Sequence, residues 1–326
     1  MKEKFNSIDL FKFLLAIVVV AFHTNPFVDC KSILVNTIVM IIADMTVPFF
    51  FMASGYFLAL GWGETCQQRE RYICKMLVST FSLYTLWTLL SLPLTIYGYV
   101  VSGNSIVQCI LSYVKYFFFI GKLYNSYHLW YLLAMIYALL VMWILIHRGK
   151  GTRHILIAGI CCYVIYLLFA WIRQSDGAGG VLAAAGKMFD YVFNNGGVFR
   201  GMLYMGVGIF IREHRVCRPL VGVAGIAAGI LLRYTVSQEL GTIFSSVMLF
   251  TLILNIKLPD HPCYFIMRRL SKYIYLLHLL CFSFYTFIVI HQPNKLGVDS
   301  FFVTISLAVL ISALIIARGK RKKEAQ

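Results

Sequence analysis

Acidic residues are scarce in this chain, with 13 Asp and Glu against 29 Lys and Arg in 326 residues. Charged residues of both signs reach only 13%, about half the ~25% of a soluble domain, while apolar and aromatic residues make up 60%. That composition excludes a soluble enzyme. None of the nine cysteines forms a C-x-x-C pair, which argues against a dithiol motif and a disulfide framework. Only Cys30 and Cys109 map to the outer side, where a bond between them stays open. The eight histidines lack H-E-x-x-H or comparable ligand spacing, so no metal site is expected. No repeat or low-complexity segment is evident, and no soluble module interleaves aromatic and basic residues. The formal net charge of +16 is therefore not read as a nucleic-acid footprint.

What is present is a series of apolar runs long enough for a hydrocarbon core of about 30 Å. They lie near 8–27, 33–60, 74–98, 127–147, 154–173, 197–211, 219–236, 240–257, 272–291 and 299–317. The expected fold is all-α, a polytopic transmembrane helix bundle of about ten spans forming one domain over residues 1–326. The aromatic stretch 105–120 is read as re-entrant or interfacial, because an eleventh span would invert every later loop. With both termini cytoplasmic, 21 of the 29 Lys and Arg fall on the inner side, as positive-inside topology requires. The basic tail 318–326, Arg318-Gly-Lys-Arg-Lys-Lys323, reads as an anchor on anionic inner-leaflet lipid rather than as an RNA- or DNA-binding segment. Lys2 and Lys4 precede an apolar run as in a signal peptide, but no small-x-small cleavage site follows, so the run is expected to stay as the first helix. The longest polar connection, Gln174 to Gly197, reads as an extracytoplasmic loop, either a cover for an acceptor or a plain linker.

Polar groups inside these runs are the functional candidates, because a charge at the bilayer centre costs about 2.5–3.5 kcal/mol even on the lenient scale. Lys12 and His23 stand eleven positions apart in the first run. On a helix they share one face, about 16 Å apart along the axis. Against a functional role, Lys12 can snorkel to the headgroups and His23 can be an interfacial histidine. On this topology Asp44, His128 and Arg200 lie at a depth similar to His23. Asp44 could fix the His23 tautomer for general base work; the plainer pairing, slightly favoured, has Asp44 neutralising Lys12 or Arg200. His128 beside Trp130 and Tyr131 also fits an aromatic belt. His278 reads as a packed helix residue and a secondary candidate.

Four blocks carry a resemblance. Lys12-x10-His23 after Ile8-Asp9-Leu10-Phe11, Val47-Pro-Phe-Phe-Phe-Met-Ala-Ser-Gly-Tyr56, Tyr127-His-Leu-Trp-Tyr131 and Ser271-Lys-Tyr-Ile-Tyr-Leu-Leu-His278 resemble, in order, motifs of the acyltransferase 3 family of integral membrane acyltransferases. Within it the pattern is most similar to the membrane domain of vancomycin-resistance-type membrane serine racemases. Lys12 stands where the family carries Arg, keeping the charge and losing the planar fork.

The resemblance implies a multi-pass protein of a bacterial-type cell membrane and an O-acyltransferase. It would move an acyl group, acetyl in the first instance, from cytoplasmic acetyl-CoA to a hydroxyl of a cell-envelope saccharide or lipid-linked acceptor. No pyridoxal phosphate is expected. His23 would be the general base or acyl carrier, with Asp44 and His128 beside it, and Lys12 would hold donor phosphate or stabilise developing charge. Arg69, Arg71 and Lys75 follow the second helix where the family carries a cluster facing the donor; topogenic charge explains them equally well. The alternative function is a stand-alone serine or small-solute transporter, since the similar racemase domain is thought to supply L-serine. No inverted repeat favours it.

Overall fold

The computed structural model describes residues 5–174, 180–193, 197–214 and 219–324. Lys2, Lys4, Cys217 and the loop residues 177–179 and 194–196 lie outside the described residues. All regular structure among the described residues is helical: α1 (Asn6–Thr24), α2 (Ile33–Gly61), α3 (Cys66–Leu90), α4 (Leu92–Val101), α5 (Ile106–Lys115), α6 (Trp130–His147), α7 (Thr152–Gln174), α8 (Val181–Phe193), α9 (Gly197–Glu213), α10 (Pro219–Thr235), α11 (Gln238–Asn255), α12 (Pro262–Ser283) and α13 (Val298–Glu324). Short π-helical segments extend α5 over Tyr116–Ile120 and α12 over Phe284–Val289. A 3₁₀ turn, Tyr127–Leu129, leads into α6.

Eight of these helices are long and apolar enough to cross a membrane: α1, α2, α3, α6 with its leading turn, α7, α11, α12 with its π-helical end, and α13. The expected spans at 197–211 and 219–236 form α9 and α10, each 17 residues and about 26 Å long. The protein is a multi-pass helical membrane protein. All eight described cysteines are free thiols.

Three boundaries differ from expectation, each for a local reason. Helix α3 starts at Cys66, not near 74, because Thr65 and Gln68 form a capping box: Thr65 Oγ1 accepts from the Gln68 N–H at 3.2 Å and Gln68 Oε1 from the Thr65 N–H at 3.2 Å. Arg69, Arg71 and Lys75 therefore ride on the first turns of a helix, not in a loop. Pro93, which has no N–H to donate, separates α3 from α4. The stretch 106–120 makes a 15-residue helix of about 22 Å, too short to span, with Ile106, Val107, Ile110, Leu111 and Val114 exposed along one face, the pattern of an interfacial element. Third, the 174–197 connection contains helix α8, whose Phe189 stacks on Phe169 of α7 at 3.9 Å between centroids.

The chain forms two compact units. The first comprises residues 1–50 and 216–326, so both ends of the chain build it; the second comprises residues 51–215. In the first unit α1 packs on α11, α12 and α13, and α10 pairs with α11. In the second, α6 packs on α3 and α9, and α7 on α9. The second half of α2 meets α9 backbone to backbone. A Cβ at Gly55 would land on the Met205 carbonyl oxygen, and one at Gly208 on the Met52 carbonyl oxygen. Small residues are what let membrane helices approach this closely. Gly206, one turn-face away, would place its Cβ 3.4 Å from Leu156 Cα, an ordinary contact.

Gly208→Ala is therefore expected to lower the thermal midpoint of the purified protein by about 5 °C or more, since a rigid carbonyl must move and overpacking of this kind costs ~1–3 kcal/mol. Gly206→Ala should leave the midpoint within about 2 °C. Equal melting of the two variants in detergent would refute the α2–α9 contact.

Candidate functional site

In the first unit α1 carries both Lys12 and His23. The helix ends at Thr24, with Asn25 in the left-handed region at φ 42° and its N–H bonded to Ala21 O at 2.8 Å. Asparagine tolerates that conformation, and Pro26 stops any continuation. The Thr24 carbonyl accepts from Gly297 N–H at 2.9 Å, tying this end to the start of α13. His23 thus sits in a fixed last turn. Its ring stacks on that of His278 from α12, centroids 5.2 Å apart and planes 22° from parallel. His278 is fully buried, with Nδ1 2.7 Å from the Tyr275 carbonyl. A carbonyl can only accept, so Nδ1 bears the proton and Nε2 keeps its lone pair in the neutral ring. The first and fourth sequence blocks therefore converge on one histidine pair.

At the inner end of the same helices, Arg268 of α12 grips Asp9 of α1. Nε lies 2.8 and 2.9 Å from the two carboxylate oxygens and Nη2 lies 2.5 Å from Oδ2. Asp9 is 2% exposed, while the Arg268 side chain is half-exposed. Asn6 adds bonds from Nδ2 to the carbonyls of Leu258 and Pro259 and to Asp260 Oδ1, at 3.3, 3.1 and 3.0 Å. Lys12 stands one turn above Asp9, and the charges acting on it are Asp9, Arg268 and Lys272. Sequence reasoning had not singled out Asp9 or Arg268 as site residues. The available signal was Asp9 itself, one of few acids and three residues before Lys12, the spacing of helical neighbours.

Asp44 is not beside His23, nor does it neutralise Lys12 or Arg200. Its Oδ2 pairs with Arg233 Nη2 at 2.7 Å and accepts from Gln238 Nε2 at 3.4 Å, while Arg233 Nη1 donates to Thr242 at 2.9 Å. The reason lies in the α10–α11 hairpin, where Gly241 meets the Arg233 backbone so closely that a Cβ there would overlap it. That approach fixes Arg233 against α11, where Thr242 orients its guanidinium. Arg200 instead donates to the Tyr166 hydroxyl and lies over the Tyr166 ring at 4.3 Å.

In the second unit the second and third sequence blocks meet. The Ser54 and Tyr131 hydroxyls are 3.0 Å apart, and Phe51 packs against Tyr131 at 4.4 Å and Trp130 at 6.2 Å. His128 is buried on the 3₁₀ turn before α6. Gly121, at φ 71°, makes room for that turn, since a Cβ there would sit 2.6 Å from Trp130 Cα. At the inner end Arg71 and Lys75 line a cleft of about 370 Å³ with Gly61, Gly63, Gln68 and Tyr72. Arg69 is fastened elsewhere: its guanidinium lies 5.2 Å from the Trp62 ring centroid and Nε donates to the Gly63 carbonyl at 3.2 Å.

Apolar spanning helices that carry buried histidines, a bidentate ion pair and a cationic inner cleft define a multi-pass membrane protein with a polar interior. The family model for the acyltransferase 3 group, described as an acyltransferase domain, matches residues 5–317. The chain belongs to the acyltransferase 3 family. It is also similar to three racemases. Two are amino-acid racemases of Enterococcus faecalis, 30% identical over 233 residues and 34% identical over 216 residues, covering 68% and 65% of this chain. The third is a serine/alanine racemase of Enterococcus gallinarum, 31% identical over 231 residues and 68% of this chain. The matches span only 28 to 30% of those proteins' own length. No solved structure matches the chain.

A double-mutant cycle on Asp44→Asn and Arg233→Gln, read by thermal unfolding, is expected to give a coupling of about 1–2 kcal/mol. The same cycle between Asp44→Asn and Lys12→Gln should give less than about 0.5 kcal/mol. The reverse ranking would return Asp44 to the Lys12 end of the unit.

Proposed function

We propose that the protein is a membrane O-acyltransferase that takes an acyl group, acetyl in the first instance, from cytoplasmic acyl-CoA and passes it to a hydroxyl of a cell-envelope saccharide. The observation that carries this reading is the His23–His278 pair. One imidazole is held on the last turn of α1, and the second, with its proton fixed on Nδ1, lies flat against it. Acyl transfer to an alcohol needs a neutral base at the hydroxyl, and a buried imidazole is suited to that task.

In this reading His23 takes the acceptor hydroxyl proton as the oxygen bonds to the thioester carbon. The carbon–sulfur bond then breaks, and the departing thiolate recovers that proton as free thiol. Both histidine and acceptor are left neutral. His278 is a positioning residue, since its ring fixes the plane of His23. Arg71 and Lys75, on the cleft of the second unit, suit donor phosphate oxygens, and Lys12, on the helix that carries His23, stabilises charge that develops in the transfer. Lysine at position 12 acts as a point charge where the family has a fork, and so demands less exact geometry of the anion.

A second reading is favoured by the similar proteins, which are racemases of serine, alanine or other amino acids. On that reading the chain carries an amino acid across the membrane without chemistry.

Inverted vesicles supplied with acetyl-labelled CoA and envelope material separate the two. His23→Ala is expected to reduce label transfer by about 100-fold or more. His278→Ala should reduce it less, and Arg71→Gln with Lys75→Gln should raise the donor KM with little change in kcat. If the wild type moves no label above empty vesicles yet takes up L-serine, the acyltransferase reading fails and the transporter reading replaces it.

A further inference from the structure

Between α4 and α6 the second unit folds around a pocket of about 410 Å³, within the range of small-molecule sites. Its wall carries Tyr99, Tyr116, Tyr124, Tyr127, Asn125 and Lys122. In the orientation that the basic residues specify, this end of the unit faces outward, opposite the cleft of Arg71 and Lys75. The transfer reading does not use it, and of the four family blocks only the third touches it, through Tyr127.

Three features make it a built site. Lys122 is half-buried, and no carboxylate lines the pocket around it. Burial, with the neighbouring Arg200 charge, pushes its ammonium below the ordinary lysine range. A cation so placed gains from an incoming anion, because none of the described residues lining the pocket supplies one. Second, the Tyr99 hydroxyl is buried and has no hydrogen-bond partner among the described residues. Third, the wall is shaped for flat contact. Tyr124 lies against the Gly98 backbone, where a Cβ would overlap its ring, and Asn125 is held in the left-handed region at φ 46°.

We propose that this pocket binds an anionic saccharide, with the sugar ring against the tyrosines, its hydroxyls on Tyr99 and Asn125, and a carboxylate or phosphate on Lys122. Aromatic rings combined with hydroxyl and amide groups suit a polyol, and the uncompensated ammonium selects a negatively charged one. A free amino acid fits poorly, since its ammonium would face Lys122 with no carboxylate on the wall to receive it. The proposal deepens the transfer reading by naming the acceptor class, and it rests on that reading for the fate of the saccharide but not for its binding.

The test uses the full chain in phosphatidylcholine nanodiscs without CoA, and a tetrasaccharide of alternating glucuronate and N-acetylglucosamine beside its carboxyl-reduced neutral counterpart. Calorimetry should show the acidic form binding at least about tenfold more tightly than the neutral one. Lys122→Gln should reduce the acidic form to the neutral level, Lys122→Arg should keep the preference, and Tyr99→Phe should weaken both forms by a few-fold, each variant first checked for monodisperse elution. Equal binding of the two forms, no binding of either, or indifference to Lys122→Gln overturns the proposal. So does abolition of saccharide binding when phosphatidylglycerol replaces phosphatidylcholine, which would make a lipid headgroup the occupant. Vesicle transfer read in parallel separates the two ideas. Transfer without saccharide binding refutes only the pocket, and binding without transfer refutes only the acyltransferase.

Discussion

The first unit hangs on a carboxylate that water cannot reach. Asp9 is a charge near the start of a membrane helix, and its burial is tolerable because Arg268 meets both of its oxygens. The pair also sets the register of α1 against α12. From Asp9 to His23 the helix rises by about 21 Å, and from Arg268 to His278 by about 15 Å. The reach of the arginine side chain accounts for the ~6 Å difference, so the two imidazoles arrive at one level and stack. A lysine at 268 would keep the charge and lose the two-point grip that holds this alignment.

Charge in this protein is arranged by subtraction. Cations outnumber acids, and the few acids are used where a helix must be held: Asp9 on Arg268, Asp44 on Arg233, Glu70 on His147 at 2.9 Å. What remains uncompensated is informative for that reason. Lys12 stands one turn from an Asp9 that Arg268 already grips, Arg71 and Lys75 line a cleft together, and Lys122 has no acid on its pocket wall. His23 and His278 follow a different logic, placed by a helix end and a ring contact rather than by an acid.

Hydropathy made the spanning helices legible, because a lipid-facing run must be apolar over most of its length. The capping box at Thr65 and Gln68 was equally visible as letters, yet the basic residues behind it made that stretch look like loop, and the helix start was placed too late. Helix α8 was hidden by glycines at its flanks and by its short length. The four sequence blocks named His23 and His278 separately, and nothing in them says that they meet. The ion pairs were illegible for a plainer reason. Arg268 is 259 residues from Asp9, and Arg233 is separated from Asp44 by the whole of the second unit in the sequence. Which of 29 cations a given acid chooses depends on helix packing, such as the close approach at Gly241, and no local pattern encodes it.

The first unit is made of both ends of the chain, with the whole of the second unit inserted between them. At a synthesis rate of ~5–20 residues per second, the ribosome needs roughly 13–50 s to reach Arg268 after Asp9 has emerged. Throughout that interval α1 carries an acid without its permanent partner. The nascent helix must wait at the insertion machinery, carry a proton on its carboxyl group, or borrow a cation from elsewhere, while the intervening segment assembles first. Biogenesis of this protein therefore has an order: the middle of the chain can complete itself early, and the histidine pair is among the last features to form.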